Sequence, residues 1–418
     1  MSWLPYILVL SALVLVQWFV RRAMGPIVSV GDEYGYISCG EQADPYHPEA
    51  FLRVPLMAWL SKQSHRHSSN PEQTLRLAVS IASAATILVS MVSAQILGGF
   101  QGSLFIGLLL VVMPGRIILS HHIWPDIWLG LWLSLACLIL VWPGLSLNLS
   151  IILLGLVAAL AFMTRFDALL LAPFVGFGLM PLSFWQWVFI LLPTMVVFAG
   201  LSIRNARRYK IPWPDNTWMF NMMIAAGETE LKRAEQIRIQ REVGKTFVVW
   251  KQQSHPDRFT SGVTSFRKLA ARPVRAFTGL LLRLWASLGP DSFVLQRLLP
   301  PTGRAYPEIS GRFNHGLHIA LRFAFPIFVS ATFLALLVGK LPVPAIVWPT
   351  LALAVATLIH NRTRNRQAWL PGAALLLVSV VSTPEFWLKL PSVESTVAWL
   401  LAISLAVALI CFRVRFEE

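Results

Sequence analysis

Residues 31–36 read Gly-Asp-Glu-Tyr-Gly-Tyr and stand just beyond the first apolar run of the chain. An acid held beside a membrane is costly, about 2.5–3.5 kcal/mol for Asp at a helix centre. At the interface the same acid stays ionised and within reach of a lipid-borne substrate. Asp32 there has the chemistry of a general base. Glu33, Tyr34 and Tyr36 are polar groups suited to holding a substrate. If the strip is extended, Glu33 points away from Asp32. Taken alone, the acid pair also fits a solvated loop.

Further polar residues recur at the ends of apolar runs. Arg53-Val54-Pro55 follows His47, and Arg76 opens the second long run. Ser120-His121-His122-Ile123-Trp124-Pro125-Asp126 sets a second acid at a helix start, where the dipole favours it. Thr164-Arg165-Phe166-Asp167 interrupts an apolar stretch; an Arg there faces a polar cavity or snorkels to headgroups. Arg204-Asn205 ends another run, ahead of Asn216. Arg362, Arg364 and Arg366 alternate, so an extended strip would present them on one side, and the guanidinium fork suits phosphate oxygens. The pairs His65/His67 and His121/His122 lack a third ligand. No cofactor and no metal site is expected, with a divalent ion as the alternative.

These residues need elements to hold them. The chain is 56% hydrophobic and 13% charged, against about 25% charged in soluble domains, with a mean hydropathy of +0.63. That composition predicts an all-α polytopic membrane protein. Runs of the length a bilayer requires, about 17–25 residues, fall near 4–20, 75–97, 102–120, 123–142, 149–164, 166–182, 184–203, 323–339, 343–360, 368–384 and 395–412. This gives about eleven helices. The run at 4–20 has no basic region ahead of it and no small-x-small cleavage site, and reads as a retained helix. Cys39, Cys137 and Cys411 form no disulfide framework.

Helix parity gathers 21–75, 115–122, 164–167, 204–322 and 360–367 on one side. All of the 35 lysines and arginines except Lys340 and Lys389 then lie on that face. The chain divides into an N-terminal membrane module (1–203), a basic extramembrane segment (204–322) and C-terminal membrane helices (323–418). Within the basic segment, 228–251 and 267–288 read as amphipathic helices, the second with Pro273 inside it. Charge alone would make the basic face cytoplasmic, since Arg21 and Arg22 directly follow the first run.

The ordered set resembles the GT-C superfamily of integral-membrane glycosyltransferases, closest to its protein mannosyltransferase and lipid A aminoarabinose transferase branch. The residues that carry the likeness are Asp32-Glu33-Tyr34-Gly35-Tyr36, Arg53-Val54-Pro55, Arg76, Asp126, Met163-Thr164-Arg165-Phe166, Arg204-Asn205 and the strip from Arg362 to Pro371, over about residues 1–375. Phe166 stands where that branch has Pro, and Asn365-Arg366 where it has Arg-Tyr.

The resemblance implies a GT-C-like fold and an active face outside the cytoplasm, in a bacterial inner membrane with the site towards the periplasm. It implies inverting transfer of a sugar from a polyprenyl-phosphate donor to a hydroxyl on a glycan, lipid or protein. Asp32 would be the base, and Asp126 a second catalytic acid orienting acceptor or base. Glu33, Tyr34, Tyr36, Arg53, Arg165, Arg204, Asn205, Arg362, Arg364 and Arg366 would bind substrate. No nucleic-acid partner is implied. Two alternatives are an O-antigen polymerase or ligase, which would lean on the large basic loop, and a lipid transporter or flippase, which would place charges and broken helices at mid-membrane.

Overall fold

The computed structural model describes residues 3–24, 32–41, 54–214, 223, 254–274, 276, 345–360 and 366–381. Among these residues the regular elements are all helical. In chain order they are α1 (Leu4–Met24), α2 (Asp32–Glu41), α3 (Pro55–His67), α4 (Pro71–Val112), α5 (Pro114–Leu119), α6 (Pro125–Val141), α7 (Leu147–Thr164), a 3-10 turn (Phe166–Leu170), α8 (Leu171–Gly178), α9 (Phe184–Tyr209), α10 (His255–Ala270), α11 (Val347–His360) and α12 (Arg366–Val381). Three of them, α4, α7 and the Phe184–Arg207 part of α9, are long and apolar enough to cross a membrane. The runs expected at 323–339 and 395–412 and the amphipathic helix at 228–251 lie outside the described residues.

α4 is two antiparallel arms. Gly98 leaves helical geometry, and Gly99 turns at φ 62°, ψ −154°, a backbone state essentially reserved for glycine. The arms then pack closely: a Cβ on Gly107 would stand 2.8 Å from Met91 Sδ and 2.6 Å from Val9 Cγ2 of α1. The two runs expected at 75–97 and 102–120 are therefore a hairpin. The second ends early, because Pro114 starts the separate short helix α5.

α7 and α9 run parallel, since Gln186 reaches Asn148 near their starts and Phe198 meets Phe162 further along. α8 supplies the return. A Cβ on Gly155 of α7 would lie 2.9 Å from the Phe189 carbonyl and 3.1 Å from that of Ile190. Small residues at such a contact let backbones approach. α12 packs on α4 and α6, with Gly372 against Thr350 and Leu133.

This connectivity collects the end of α1, all of α2 and α3, the start of α4, the α5–α6 junction, the end of α7 and the start of α12 at one end of the bundle. The other end carries the Gly98–Gly99 reversal and the turns at 142–146 and 179–183. The parity expected from hydropathy holds for these elements.

Three expectations need correction. Residues 166–182 are not one helix but a 3-10 turn and the short α8. The helix expected at 267–288 breaks before Pro273: α10 ends at Ala270, with Ala271 in a turn. Residues 115–122 are not an exposed loop, for Leu119 through Asp126 are buried.

The Gly155 contact is with backbone, which has no rotamer to yield. Gly155→Val should destabilise the purified protein by about 1–3 kcal/mol, read as a lower Tm in detergent. Ala at Gly200, where nothing lies within 4 Å of a built Cβ, should leave Tm nearly unchanged.

Candidate active site

The acid segment is a helix, not an extended strip. α2 starts at Asp32, and Gly40 allows α3 to come against it, since a Cβ there would collide with Ser61 and His65. Ser61 Oγ donates to the Ile37 carbonyl at 3.0 Å. Tyr36 sinks into an apolar cluster with Met57, Leu75, Trp124 and Ile127. Tyr34 points out and is exposed.

Helical geometry turns Glu33 into the bundle. The Glu33 carboxylate is fully buried. It accepts from the Ile123 amide at 2.8 Å, from His122 Nδ1 at 3.1 and 3.2 Å, and from Arg76 Nη1 at 3.4 Å. Because an ionised carboxylate only accepts, the His122 proton sits on Nδ1. His122 Nε2 is buried without a partner among the described residues. Arg76 also donates to the His121 carbonyl at 2.6 Å and to Glu72 at 2.8 Å. Burial, the largest single influence, pushes the Glu33 carboxyl up. The His122 hydrogen bond and charge, Arg76 and the Ile123 amide together outweigh it and hold Glu33 below its ordinary value.

A second charge cluster lies where α6, α7 and the 3-10 turn meet. Asp126 opens α6 in its first turn, and the N-cap, Trp124, makes no side-chain capping bond. Asp126 is fully buried, with Oδ1 accepting from Arg165 Nη1 at 2.8 Å. The same guanidinium grips Asp167 through Nη2 at 2.9 Å and Nε at 3.1 and 3.2 Å. Arg165 is thus pinned between two carboxylates.

At the end of α9, Asn205 is buried and donates to the carbonyls of Trp213 at 2.7 Å and Pro214 at 3.0 Å. Its oxygen accepts from Arg204 at 2.9 and 3.0 Å. Asn205 therefore folds the following loop back onto the helix end. Arg366 is the first residue of α12, at the same end of the bundle. Arg53, Arg362 and Arg364 lie outside the described residues. Among the described residues no group of three or more His, Cys, Asp or Glu is arranged to hold a metal ion.

Two features were missing from the sequence reading. His122 belongs to the Glu33 cluster, which adjacency to His121 alone could not reveal. Arg116, in α5, is 1% exposed. Its signal was available, namely a lone Arg inside an apolar run.

No protein-family model matches this chain, and no curated protein does. Among solved structures it is similar to the crystal structure of ArnT from Cupriavidus metallidurans bound to undecaprenyl phosphate. The identity is 16%, over 91% of this chain and 78% of that one, with a TM-score of 0.39. At that distance the chemistry rests on this chain's own residues.

The Glu33 cluster carries a pH signature. A carboxyl held below its ordinary value stabilises the fold above its unfolded pKa of about 4.3 and loses that contribution as pH falls through the lower folded value. Glu33→Ala should cost about 3–5 kcal/mol at neutral pH, because it strands Arg76 and the Ile123 amide. The Tm gap between wild type and Glu33→Gln should narrow as pH drops below about 4.3. A gap that stays constant from pH 7 to 3.5 would show that the fold does not hold the Glu33 carboxyl below its ordinary value.

Proposed function

We propose that the chain is an inverting glycosyltransferase that moves a sugar from a polyprenyl-phosphate donor to a hydroxyl acceptor. The reading rests on one observation above others. Glu33 is anchored to the bundle on three protein donors, and Asp32, the residue before it, opens the same helix. An anchor directly next to a candidate base fixes the backbone of that base. The order of motifs from Asp32 to Arg366 supports the same reading, as does their convergence at one end of a helical bundle.

In this mechanism the acceptor oxygen attacks the anomeric carbon from the face opposite the phosphate. Asp32 takes the hydroxyl proton as the new C–O bond forms. The bond from the anomeric carbon to the phosphate oxygen breaks, and its electron pair leaves with the polyprenyl phosphate. A phosphate leaves without an acid partner of the kind glycoside hydrolysis needs, so one base suffices. Asp126, held by Arg165, orients the acceptor or the base. Tyr34, Arg204 and the arginines at 53, 362, 364 and 366 contribute donor and acceptor contacts, while Tyr36 and Asn205, buried and already engaged, hold the elements that carry them. Positive charge at the departing phosphate lowers the barrier by fixed electrostatics.

The proposed setting is an inner membrane with this face towards the periplasm. A single cysteine placed at Ser254, the N-cap of α10, should react with a membrane-impermeant maleimide on intact cells. Reaction only after permeabilisation would turn the basic face cytoplasmic, as the charge rule prefers.

Asp32→Asn nearly preserves side-chain volume and removes the base. Transfer from polyprenyl-phosphate sugars should fall about 10²-fold or more at unchanged expression. Asp32→Asn activity above roughly a tenth of wild type would move the base elsewhere, with Asp126 next in line.

A further inference from the structure

The least compensated charge in the described structure is the guanidinium of Arg116. It sits on the six-residue α5 at 1% exposure. Nη2 donates to the Ser83 carbonyl at 3.1 Å. Nε and Nη1 are buried and have no hydrogen-bond partner among the described residues. Ser83 follows Arg76 by seven residues on α4, which sets Arg116 about 10 Å deeper in the bundle than the Arg76 end of the Glu33 cluster. Arg165, also buried, grips two carboxylates. Arg116 meets a neutral carbonyl.

A buried cation without a counter-charge is expensive, and replacing it with an apolar side chain of similar shape is often stabilising. An ionisable residue at membrane depth normally serves an ion or substrate path. Rules of local consistency fail chiefly at functional positions. The position also has a direction. A lipid phosphate reaches the acid cluster from the membrane side, with its tail still in the bilayer. Arg116 lies on that side of the acids.

We propose that Arg116 is a binding residue for the phosphate of an anionic lipid, supplying Nε and Nη1 to its oxygens. This inference rests on the donor class proposed above for identifying the lipid as a polyprenyl phosphate, but not for the existence of an anion site. α1 packs against α5 here, clasped by Gln17 Nε2 donating to Ser120 Oγ at 3.0 Å. On this proposal the lipid would reach Arg116 by passing beside α1, whose outer side exposes Leu10, Val14 and Trp18.

The test uses the purified full-length protein in detergent, with undecaprenyl phosphate, undecaprenol, dioleoyl phosphatidylglycerol and inorganic phosphate as separate probes. Bound lipid is counted by native mass spectrometry, and Tm is read with and without each probe. For wild type, undecaprenyl phosphate should bind and raise Tm, while undecaprenol and inorganic phosphate should not. Arg116→Met should have a Tm equal to or above wild type without lipid, and should bind undecaprenyl phosphate roughly 10- to 100-fold more weakly, the loss expected for hydrogen bonds to a charged group. Arg116→Lys should keep part of the binding, and it replaces the Met variant if that one fails to fold.

If phosphatidylglycerol gives the Arg116-dependent shift and undecaprenyl phosphate does not, the anion site stands and the polyprenyl donor reading fails. If Arg116→Met lowers Tm without lipid, the charge is structural and the proposal is overturned. Full binding by both variants, or no Tm shift of wild type with either lipid, overturns it equally.

Discussion

The Glu33 carboxylate is the interaction on which this end of the molecule depends. It belongs to a short helix with two glycines and no strong amphipathic face, which would not persist alone. Burying a carboxylate is unfavourable unless donors surround it. Here three donors come from two places in the chain: Arg76 at the start of α4, and the adjacent His122 ring and Ile123 amide in the turn before α6. Each donor belongs to an element already fixed by apolar packing. One side chain therefore ties α2 to two membrane-embedded helices, and Arg76 passes the connection on to Glu72 and the His121 carbonyl. Removing that carboxylate would free α2 from the bundle, and Asp32 with it.

Below this polar end the bundle is held by close apolar contacts, several of them through glycine. Gly107 lets the second arm of α4 reach Met91 and Val9, Gly155 lets α7 meet the α9 backbone, and Gly372 lets α12 meet Thr350. In a bilayer, association cannot draw on expulsion of water from apolar faces, because lipid is as apolar as the side chains. Close van der Waals packing takes its place. The lipid-like exposure of Phe184, Trp185, Phe189, Leu192 and Val196 along α9 fits the same setting. The rigidity that this packing gives to α4, α6 and α7 keeps their ends, and the charges on them, in fixed relation.

Hydropathy and parity made the helices and their shared polar end readable from sequence, because an apolar run of bilayer length has few other solutions. Residues 166–182 broke the pattern. Arg165 recruits Asp167, which tightens the chain into a 3-10 turn, and the helix restarts at Leu171, leaving Pro173 in its first turn, where proline is tolerated. α2 was not readable as a helix, since Gly35, Gly40 and alternating tyrosines suit a loop equally well and the helix is imposed by α3 and α4. Asp32, Asp126 and Arg165 could be found as polar residues at helix ends. The pairing of Asp126 with Arg165 joins residues far apart in the chain, and no local pattern encodes it. Arg116 stood out only as a lone Arg inside an apolar run, and Pro114-Gly115 before it, which marks a loop in most sequences, here opens the short helix α5.

The arginines of this face divide by what already holds them. Arg165 spends Nε and Nη2 on Asp167 and Nη1 on Asp126. A phosphate approaching it would have to displace a carboxylate of equal sign, so the gain from pairing would be offset by the acid set free. Arg76 is in the same position between Glu33 and Glu72. Such residues are better suited to fixing acids than to stabilising a leaving group. The charge that a departing phosphate needs is more effectively supplied by a cation whose contacts are with neutral groups, since nothing must be broken to form the new pair. Arg116 meets that description, donating to the carbonyl of Ser83. An arrangement of this kind keeps Glu33, Asp126 and Asp167 rigid and sets Arg116 beneath that network.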